Sequence, residues 1–222
     1  MRIWTKRLLC LLAAGMLAGG LIAGAQEEQT HTAYLHGFPD GTIRPEDPLT
    51  REQLAAVLFR LMDDPPACTE SFRFQDVVPG RWSFDAIAAC CRLGIVLGGT
   101  DGCYRPEQAV TWREMVCVLD RITFSDGGCE QLEALAAGWC RAREKDPPVR
   151  EGTQPVLRAE LAVLFNLLLG RTLPDAEHAL SDASPYADNR DTTRWFYLPV
   201  LEAGTDHTFC AMPGGERWTG AG

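Results

Sequence analysis

Three arginines lie in the first turns of three amphipathic helices that the sequence predicts. Arg51 and Arg113 come one and two residues after Thr50 and Thr111, and Arg158 opens the third helix. A cation at this position opposes the helix dipole, so helix formation alone does not explain it. Helix-start N–H groups and a guanidinium fork can together bind an anion. The pattern therefore predicts an anion site, or else ion pairs between these arginines and carboxylates of an acidic chain.

The same helix starts carry capping signals. Thr50-x-x-Gln53 and Thr111-x-x-Glu114 are capping boxes, in which the hydroxyl accepts from an early backbone N–H and the Gln or Glu side chain reaches back. Such a cap stabilises a helix by about 1 kcal/mol. In the third helix Leu157 takes the place of the threonine, so we expect the hydroxyl cap to be lost there.

The three helices share one apolar face. Counted from Thr50, Thr111 and Leu157, positions +4, +7, +8 and +11 are apolar in every case. They are Leu54, Val57, Leu58, Leu61, Met115, Val118, Leu119, Ile122, Leu161, Leu164, Phe165 and Leu168. This spacing places all four positions on one side of an α-helix. A face that recurs three times in one register indicates an internal repeat.

Two turn motifs recur 61 residues apart. Asp40-Gly41 and Asp101-Gly102 are each followed by Arg-Pro before the next helix. An Asp-Gly pair favours a tight turn with positive φ, and the proline cannot continue a helix. We therefore interpret Asp40 and Asp101 as turn residues.

An aromatic-x-Asp motif stands before the first helix of each unit. It occurs as Phe74-x-Asp76 followed by Trp82, as Tyr186-x-Asp188 followed by Trp195, and as a weaker copy at Phe124-x-Asp126. A tryptophan that opens an amphipathic helix is typically a core anchor, so we expect Trp82 and Trp195 to be buried.

These repeats predict an all-α fold. The first unit lacks its opening helix, and the chain ends with an opening helix that has no follower. We expect three helix-loop-helix repeats in a closed pseudo-threefold bundle, with the last helix completing the first repeat. The predicted parts are a signal peptide (1–25), the second half of repeat 1 (26–66), repeat 2 (67–123), repeat 3 with a degenerate loop (124–173) and the closing half-repeat (174–222).

Composition restricts the function classes. The chain has 222 residues, 23% of them charged, and a net charge of −9, which argues against a nucleic-acid partner. Basic residues precede an apolar run that ends in Ala23-Gly24-Ala25, the pattern of a secretory signal peptide; an uncleaved signal anchor is the alternative. The rest of the chain has no apolar stretch long enough to span a membrane.

Signals for catalysis, metals and cofactors are scarce. The histidines His31, His36, His178 and His207 form no HExxH pattern, and no GxSxG or phosphate-binding loop is present. No CxxC pair supports a zinc site, and neither Asp-Gly turn has the carboxylate spacing of a calcium loop. We therefore predict no catalytic residue, no metal and no cofactor. Eight cysteines follow the signal peptide, and we favour free buried thiols, Cys90 and Cys117 among them, over a disulfide framework.

The repeats resemble the S-layer homology domain. The resemblance is carried by Gly37-Phe-Pro-Asp-Gly-Thr-Ile-Arg-Pro45 leading into Leu49-Thr-Arg-Glu-Gln53, by Phe74-Gln-Asp-Val with Trp82, by Ala86-Ile87 through Gly94-Ile95, and by Asp101-Gly-Cys-Tyr-Arg-Pro106. It extends over the chain after residue 25 and is most specific in the first two units.

The resemblance implies secretion and non-covalent anchoring to the cell wall or S-layer. Such domains bind secondary cell wall polysaccharide that often carries pyruvate ketals, and the arginine of the Thr-Arg-Glu motif contacts the ligand. It therefore implies glycan contacts for Arg51, Arg113 and Arg158. Sugar-hydroxyl contacts of Asp40 and Asp101, and sugar stacking of Trp82 and Trp195, are the alternatives to their structural roles.

Two units depart from the family pattern. Trp112 occupies the usual arginine position of repeat 2, which displaces Arg113 by about 100° around the helix, although Trp112 could stack on a sugar. Repeat 3 lacks the threonine and has Pro147-Pro148 where the Asp-Gly turn belongs. We therefore expect the best-preserved groove at Arg51 and a weak third site.

Two further functions stay open from the sequence. The chain could be an envelope structural protein that uses the repeats for self-assembly or for contacts with other envelope or S-layer proteins, without glycan binding. It could also be a secreted wall hydrolase with an unrecognised site, which would require a carboxylate pair that the sequence does not reveal.

Overall fold

The computed structural model describes residues 27–66, 74–123, 152–180 and 186–221. The elements are β1 (Gln29–His31), α1 (Arg51–Arg60), α2 (Phe84–Arg92), α3 (Trp112–Thr123), α4 (Arg158–Leu169), a 3-10 turn (Ala176–His178), α5 (Tyr197–Gly204), β2 (His207–Met212) and β3 (Gly215–Ala221). No helix within these ranges has the length and apolar character needed to cross a bilayer.

The described residues form two compact units. We term residues 27–47, 157–180 and 186–221 the sheet unit. Residues 48–66, 74–123 and 152–156 are the helical unit.

The sheet unit shows that the predicted all-α fold is wrong. Its three strands form an antiparallel sheet in the order β1-β2-β3, so the fold is mixed α and β. Along β3, Glu216 and Trp218 are buried while Arg217 and Thr219 are exposed. This period-two burial is that of a strand with one covered face. The sequence predicts only a helical half-repeat for 174–222, but two strands follow α5 in the structure.

A hairpin turn and an apolar cluster hold the sheet in place. Gly214 has a φ of 91°, a conformation that glycine adopts without a steric penalty. Phe209 of β2 and Trp218 of β3 pack against Leu201 of α5 in one buried cluster. The backbone N–H groups of residues 34–35 both donate to Ala203 O at 3.0 Å, which ties the segment after β1 to α5.

The predicted apolar helix faces are confirmed. All of the twelve repeated positions are buried except Leu61 and Leu168, which are half-buried. In the helical unit α1 packs against α2, and in the sheet unit α4 packs against α5. In both units, therefore, a helix that opens a repeat (α2 or α5) packs on a helix that closes one (α1 or α4).

Three buried residues of the helical unit form a closed ring of backbone hydrogen bonds. Leu49 N donates to Val156 O, Val156 N donates to Val110 O, and Val110 N donates to Leu49 O, each at 2.8 Å. All three side chains are at most 1% exposed. The segments that lead into α1 and α3 are thereby fixed to each other and to residues 152–156.

Three predictions concern residues that the structure does not describe. The signal peptide at 1–25, the Phe124-x-Asp126 copy and the Pro147-Pro148 loop lie outside the described residues. The five cysteines within the described ranges are free thiols. Cys90 is buried as expected, but Cys117 is exposed, so its assignment to the apolar core is wrong.

Candidate functional site

Each Asp-Gly turn is closed by its own side chains. Asp40 Oδ1 accepts hydrogen bonds from Thr42 N at 3.0 Å and from the Thr42 hydroxyl at 2.6 Å. Arg44 Nη2 donates to Asp40 Oδ2 at 2.8 Å, and Arg105 pairs with Asp101 in the same way. The glycine after each aspartate has a φ of 79°. Hydrogen bonds from Thr42 and Arg44 lower the pKa of Asp40 to about 2. The turn interpretation of both aspartates is confirmed.

In the two described copies of the aromatic-x-Asp motif, the aspartate binds the backbone that follows an Asp-Gly turn. Asp76 accepts from the backbone N–H groups of Tyr104 at 2.8 Å and Arg105 at 2.6 Å. In the sheet unit Asp188 accepts from the N–H groups of residues 43–44, both at 2.8 Å. Burial raises the pKa of Asp76, but the two backbone donors lower it more, so it lies below the ordinary value. The motif therefore has a loop-holding role that sequence reasoning did not assign.

The capping boxes are present as predicted. Thr50 Oγ1 accepts from Gln53 N at 3.3 Å, and the Gln53 side chain accepts from Thr50 N at 3.3 Å. Thr111 and Glu114 make the same pair of bonds, at 3.3 and 2.9 Å. In the third helix the Glu160 carboxylate accepts from Leu157 N at 2.9 Å, while the hydroxyl half of the box is missing.

The Arg51 guanidinium binds the loop that contains the second Asp-Gly turn. Its Nε donates to Tyr104 O at 2.8 Å and its Nη2 donates to Leu97 O at 2.6 Å. Its Nη1 pairs with Glu114 Oε1 at 2.6 Å, and the group lies 4.6 Å from the Tyr104 ring centroid. Arg51 thus makes the ion pair that the sequence left open, together with backbone contacts that it did not predict.

Arg158 binds the first Asp-Gly loop in the same way. Its Nε donates to Ile43 O at 2.7 Å and its Nη2 to His36 O at 2.8 Å. Its guanidinium lies 4.9 Å from the Phe38 ring, and the residue is only 2% exposed. Arg158 is therefore far less accessible to a ligand than the exposed Arg113.

Backbone carbonyls occupy the N–H groups at all three helix starts. Arg51 N donates to Gln108 O at 2.9 Å, and Arg158 N donates to Asp47 O at 3.0 Å. Trp112 N donates to Gln154 O at 3.0 Å. Trp112 N thus makes the backbone contact in α3 that Arg51 N and Arg158 N make in the other two helices. Trp112, and not Arg113, is therefore the structural equivalent of those two arginines. Any anion held here must therefore be held mainly by side chains.

The two tryptophans are less buried than predicted. Trp82 is 61% exposed, so its expected role as a core anchor is wrong. Trp195 is half-buried. The buried position is the next one along the chain, where Ser83 is 0% and Phe196 is 4% exposed. Trp82 is therefore accessible for stacking.

A cleft of about 250 Å³ in the helical unit brings together Arg51 and Arg113. It also contains Arg121, whose Nη1 donates to Ile95 O at 3.0 Å. The remaining lining residues are Leu54, Val96, Leu97, Tyr104, Val110, Glu114, Cys117 and Val118. Sequence reasoning did not single out Arg121, although it matches Arg60 in the repeat. Trp112, Asp40, Asp101, Trp82, Trp195 and Arg158 do not line this cleft.

Parts of the sequence are similar to known proteins. The family model of the S-layer homology domain matches residues 34–55 and 73–115. Cell surface glycoprotein 1 of Acetivibrio thermocellus is 31% identical over 108 residues, which cover 48% of this chain and 5% of that protein. The cellulosome-anchoring protein of the same organism is 26% identical over 104 residues, or 46% of this chain and 23% of that protein.

An amylopullulanase of Thermoanaerobacterium thermosulfurigenes is 31% identical over 87 residues, which cover 39% of this chain and 5% of the enzyme. The chain thus spans less than a quarter of each of these relatives. Residues 34–55 and 73–115 are thus similar to the S-layer homology domain, and the names of two of these relatives refer to the cell surface or to anchoring.

Proposed function

We propose that this chain, after export, anchors non-covalently to the bacterial cell envelope by binding an acidic secondary cell wall polysaccharide. The ligand group is a carboxylate on a sugar, such as a pyruvate ketal. The proposed site is the cleft that contains Arg51, Arg113 and Arg121. This cleft carries the proposal because it brings three guanidinium groups together in a chain whose net charge is −9.

The lining of the cleft suits a substituted sugar. Among the described residues that line the cleft, Glu114 is the one carboxylate, and Arg51 pairs with it, so two arginine charges remain for a ligand. Arg and carboxylate groups form strong paired hydrogen bonds. The apolar walls, which include Val96 and Val110, suit the hydrophobic face of a sugar ring. A volume of about 250 Å³ is below the usual range of drug-sized pockets, so the cleft fits one sugar unit.

The arginines have different roles in this proposal. Arg113 is exposed, and its guanidinium pairs with no side chain in the described ranges, so it is the group best placed to bind the carboxylate. Arg51 has a side chain that is only 14% exposed and three existing partners, so it positions the loop at 97–104 and adds charge. The predicted preference for Arg51 as the main ligand contact thus shifts towards Arg113.

The test is cosedimentation of the purified chain with cell-wall sacculi, with and without the attached polysaccharide. We expect binding to require the polysaccharide and to fall at least tenfold in Arg113→Gln. Arg190→Gln removes an exposed arginine outside the cleft and is the matched control. Equal binding to stripped sacculi, or equal loss in both variants, would contradict the proposal.

A second candidate function is protein contact without glycan binding. It is favoured by Val78 and Trp82, which are 57% and 61% exposed and lie four residues apart. If this function holds, Trp82→Ser lowers the oligomeric mass measured by light scattering, while Arg113→Gln leaves it unchanged. A monomeric wild-type chain that binds the polysaccharide would exclude it.

A further inference from the structure

Four ionisable side chains meet at the centre of the sheet unit. His31 ends β1, Glu202 lies in α5, His207 begins β2 and Glu216 lies in β3. One ligand atom from each lies within 4.8 Å of the other three. The four residues are spread over most of the chain, which is why no local motif in the sequence reveals them.

The group is largely removed from solvent. The side chains of His207 and Glu202 are 0% and 1% exposed, that of Glu216 is 7% exposed, and that of His31 is 18% exposed. Two carboxylates in so little water are costly unless cations or hydrogen bonds compensate them. The structure therefore requires positive charge at this point.

Hydrogen bonds from neighbouring residues orient His207 and Glu202 so that their free donor atoms face one another. His207 Nδ1 lies 2.8 Å from Thr205 O, and a carbonyl can only accept, so Nδ1 carries the proton. The Nε2 atom of a neutral His207 then points a lone pair at the carboxylates. Trp218 Nε1 donates to Glu202 Oε2 at 3.1 Å, which leaves Oε1 facing the histidines. Outer hydrogen bonds of this kind are typical of metal-ligating histidines and carboxylates.

Two of the atoms that face the centre of this group make no hydrogen bond within the described residues. His207 Nε2 and Glu216 Oε2 are buried, and neither makes a hydrogen bond with the part of the chain that the structure describes. Buried polar atoms of this kind are rare in folded proteins and require an explanation. A lone pair and a carboxylate oxygen that converge on one point are electron donors, so a cation is the species that would satisfy both.

Four of the six distances between the donor atoms are close to those around one small divalent ion, while the widest pair, at up to 4.8 Å, would have to close on binding. His31 Nδ1 lies 3.2 Å from Glu202 Oε1 and 3.4 Å from Glu216 Oε2. His207 Nε2 lies 3.2 and 3.9 Å from the same two atoms. A tetrahedron with metal–ligand bonds of about 2.0–2.1 Å has edges of about 3.3 Å.

We propose that His31 Nδ1, Glu202 Oε1, His207 Nε2 and Glu216 Oε2 form a structural binding site for a divalent transition metal of the zinc type. Two carboxylates balance the charge of one divalent ion. All four positions are taken by protein, as in a structural rather than a catalytic site. The ion would connect β1, α5 and the β2–β3 hairpin, and so fasten the first and last described strands to one helix. This role is separate from glycan binding in the helical unit.

Protons are the competing explanation. Burial lowers the pKa of His207, but Glu202 and Glu216 raise it more, to about 9. Burial raises the pKa of Glu202, but His207 and His31 lower it to about 2. A network of imidazolium and carboxylate groups would hold the same elements together without a metal. The two explanations differ in metal content, which can be measured directly.

The test uses the purified full chain, stripped with a chelator and dialysed against zinc chloride or cobalt chloride. We expect one zinc per chain by elemental analysis and a rise in melting temperature of several degrees that EDTA reverses. The Co²⁺ form should show intense visible d–d absorption without a thiolate charge-transfer band in the near ultraviolet. This spectrum separates nitrogen and oxygen ligands from the cysteine thiols, and it needs no variant.

Variants locate the site. Glu216→Gln preserves the shape of the side chain and should reduce zinc affinity at least tenfold, and His207→Gln should do the same. His178→Gln, at a half-buried histidine that pairs with Asp175 instead, is the matched control. Circular dichroism establishes that each variant is folded. A stripped chain that takes up no zinc, cobalt bound through thiolate, or undiminished zinc binding in Glu216→Gln would overturn the proposal.

Discussion

At the residue scale, two of the arginines at the helix starts hold loops, a role that the sequence did not predict. Arg51 and Arg158 each donate to two backbone carbonyls of an Asp-Gly loop. A lysine has no planar fork and could not make both contacts in this geometry. The arginine is therefore needed for loop shape before any ligand arrives, and its presence alone does not identify a binding site.

Asp76 gives this scale a pH-dependent prediction. Its carboxylate accepts two backbone N–H groups, and its pKa lies below the ordinary value of 3.8. Because the pKa is depressed in the folded state, its contribution to stability is present above pH 3.8 and is lost as the pH falls through the folded pKa. We expect Asp76→Asn to cost about 1 kcal/mol in free energy of unfolding at pH 7.

Urea unfolding of wild type and Asp76→Asn between pH 7 and pH 2.5 measures this effect. The stability difference between the two chains should shrink as the pH falls below 3.8. Asp120→Asn, at an exposed position of α3, controls for the general loss of a negative charge. A difference that stays constant over the whole pH range would show that Asp76 acts only through packing.

At the element scale, the helix starts are saturated with hydrogen bonds. In α1, Arg51 N and Glu52 N donate to Gln108 O and Pro106 O, both at 2.9 Å, and Gln53 N donates to Thr50 Oγ1. Thr50 N donates to the Gln53 side chain at 3.3 Å, so all four N–H groups that a helix start leaves without an intrahelical partner are already used. This explains why a positive helix end gives no ready anion site here.

The Thr50 cap gives a prediction for α1. Thr50→Val keeps the shape of the side chain but removes the acceptor of Gln53 N, and we expect a loss of about 1 kcal/mol in free energy of unfolding. Chemical denaturation monitored by circular dichroism measures it. Thr153→Val, at an exposed loop position, should change stability by less than about 0.5 kcal/mol. Equal effects of the two substitutions would count against the cap.

The contact between sheet and helix gives a second prediction at this scale. Trp218→Phe preserves most of the buried ring but removes the N–H that donates to Glu202 Oε2. A hydrogen bond to a buried charge contributes about 1.5–3 kcal/mol, so we expect destabilisation of that size. Trp82→Phe, at a ring that is 61% exposed, should change stability by less than about 0.5 kcal/mol. Thermal unfolding of both variants measures these changes in stability. A Trp218→Phe chain as stable as wild type would contradict the prediction.

At the scale of the whole molecule, local sequence patterns predict the helices well. They predict poorly which distant segments of the chain come together. Capping boxes, Asp-Gly turns and apolar faces are set by residues within one or two turns of each other, and the structure confirms them. The sheet joins β1 to a hairpin about 180 residues later, and its three-residue first strand has too few positions for a pattern. Trp82 is exposed against expectation because its neighbour Ser83 takes the buried position.

The site was predicted only in part for the same reason. Arg51 and Arg113 could be predicted because each lies one or two residues after a capping threonine, which is a local signal. Arg121 lies two turns further along α3, and only the folded helix places it in the same cleft. The cluster of His31, Glu202, His207 and Glu216 exists only once four separate elements have met. Local spacing carries no information about such juxtapositions.

The overall charge of the molecule determines how wall binding should respond to salt. A chain of net charge −9 is repelled by an acidic polymer at long range, while the arginines of the cleft attract one carboxylate at short range. Salt screens charges separated by more than about 10 Å at 0.1 M, so it weakens the long-range repulsion first. We therefore expect retention on polysaccharide-bearing sacculi to change less than tenfold between about 0.05 and 0.5 M NaCl. Cosedimentation over this range measures it, with a basic protein of similar mass as the control that salt should release. Complete release of this chain by about 0.2 M NaCl would indicate diffuse ion exchange instead of a defined cleft.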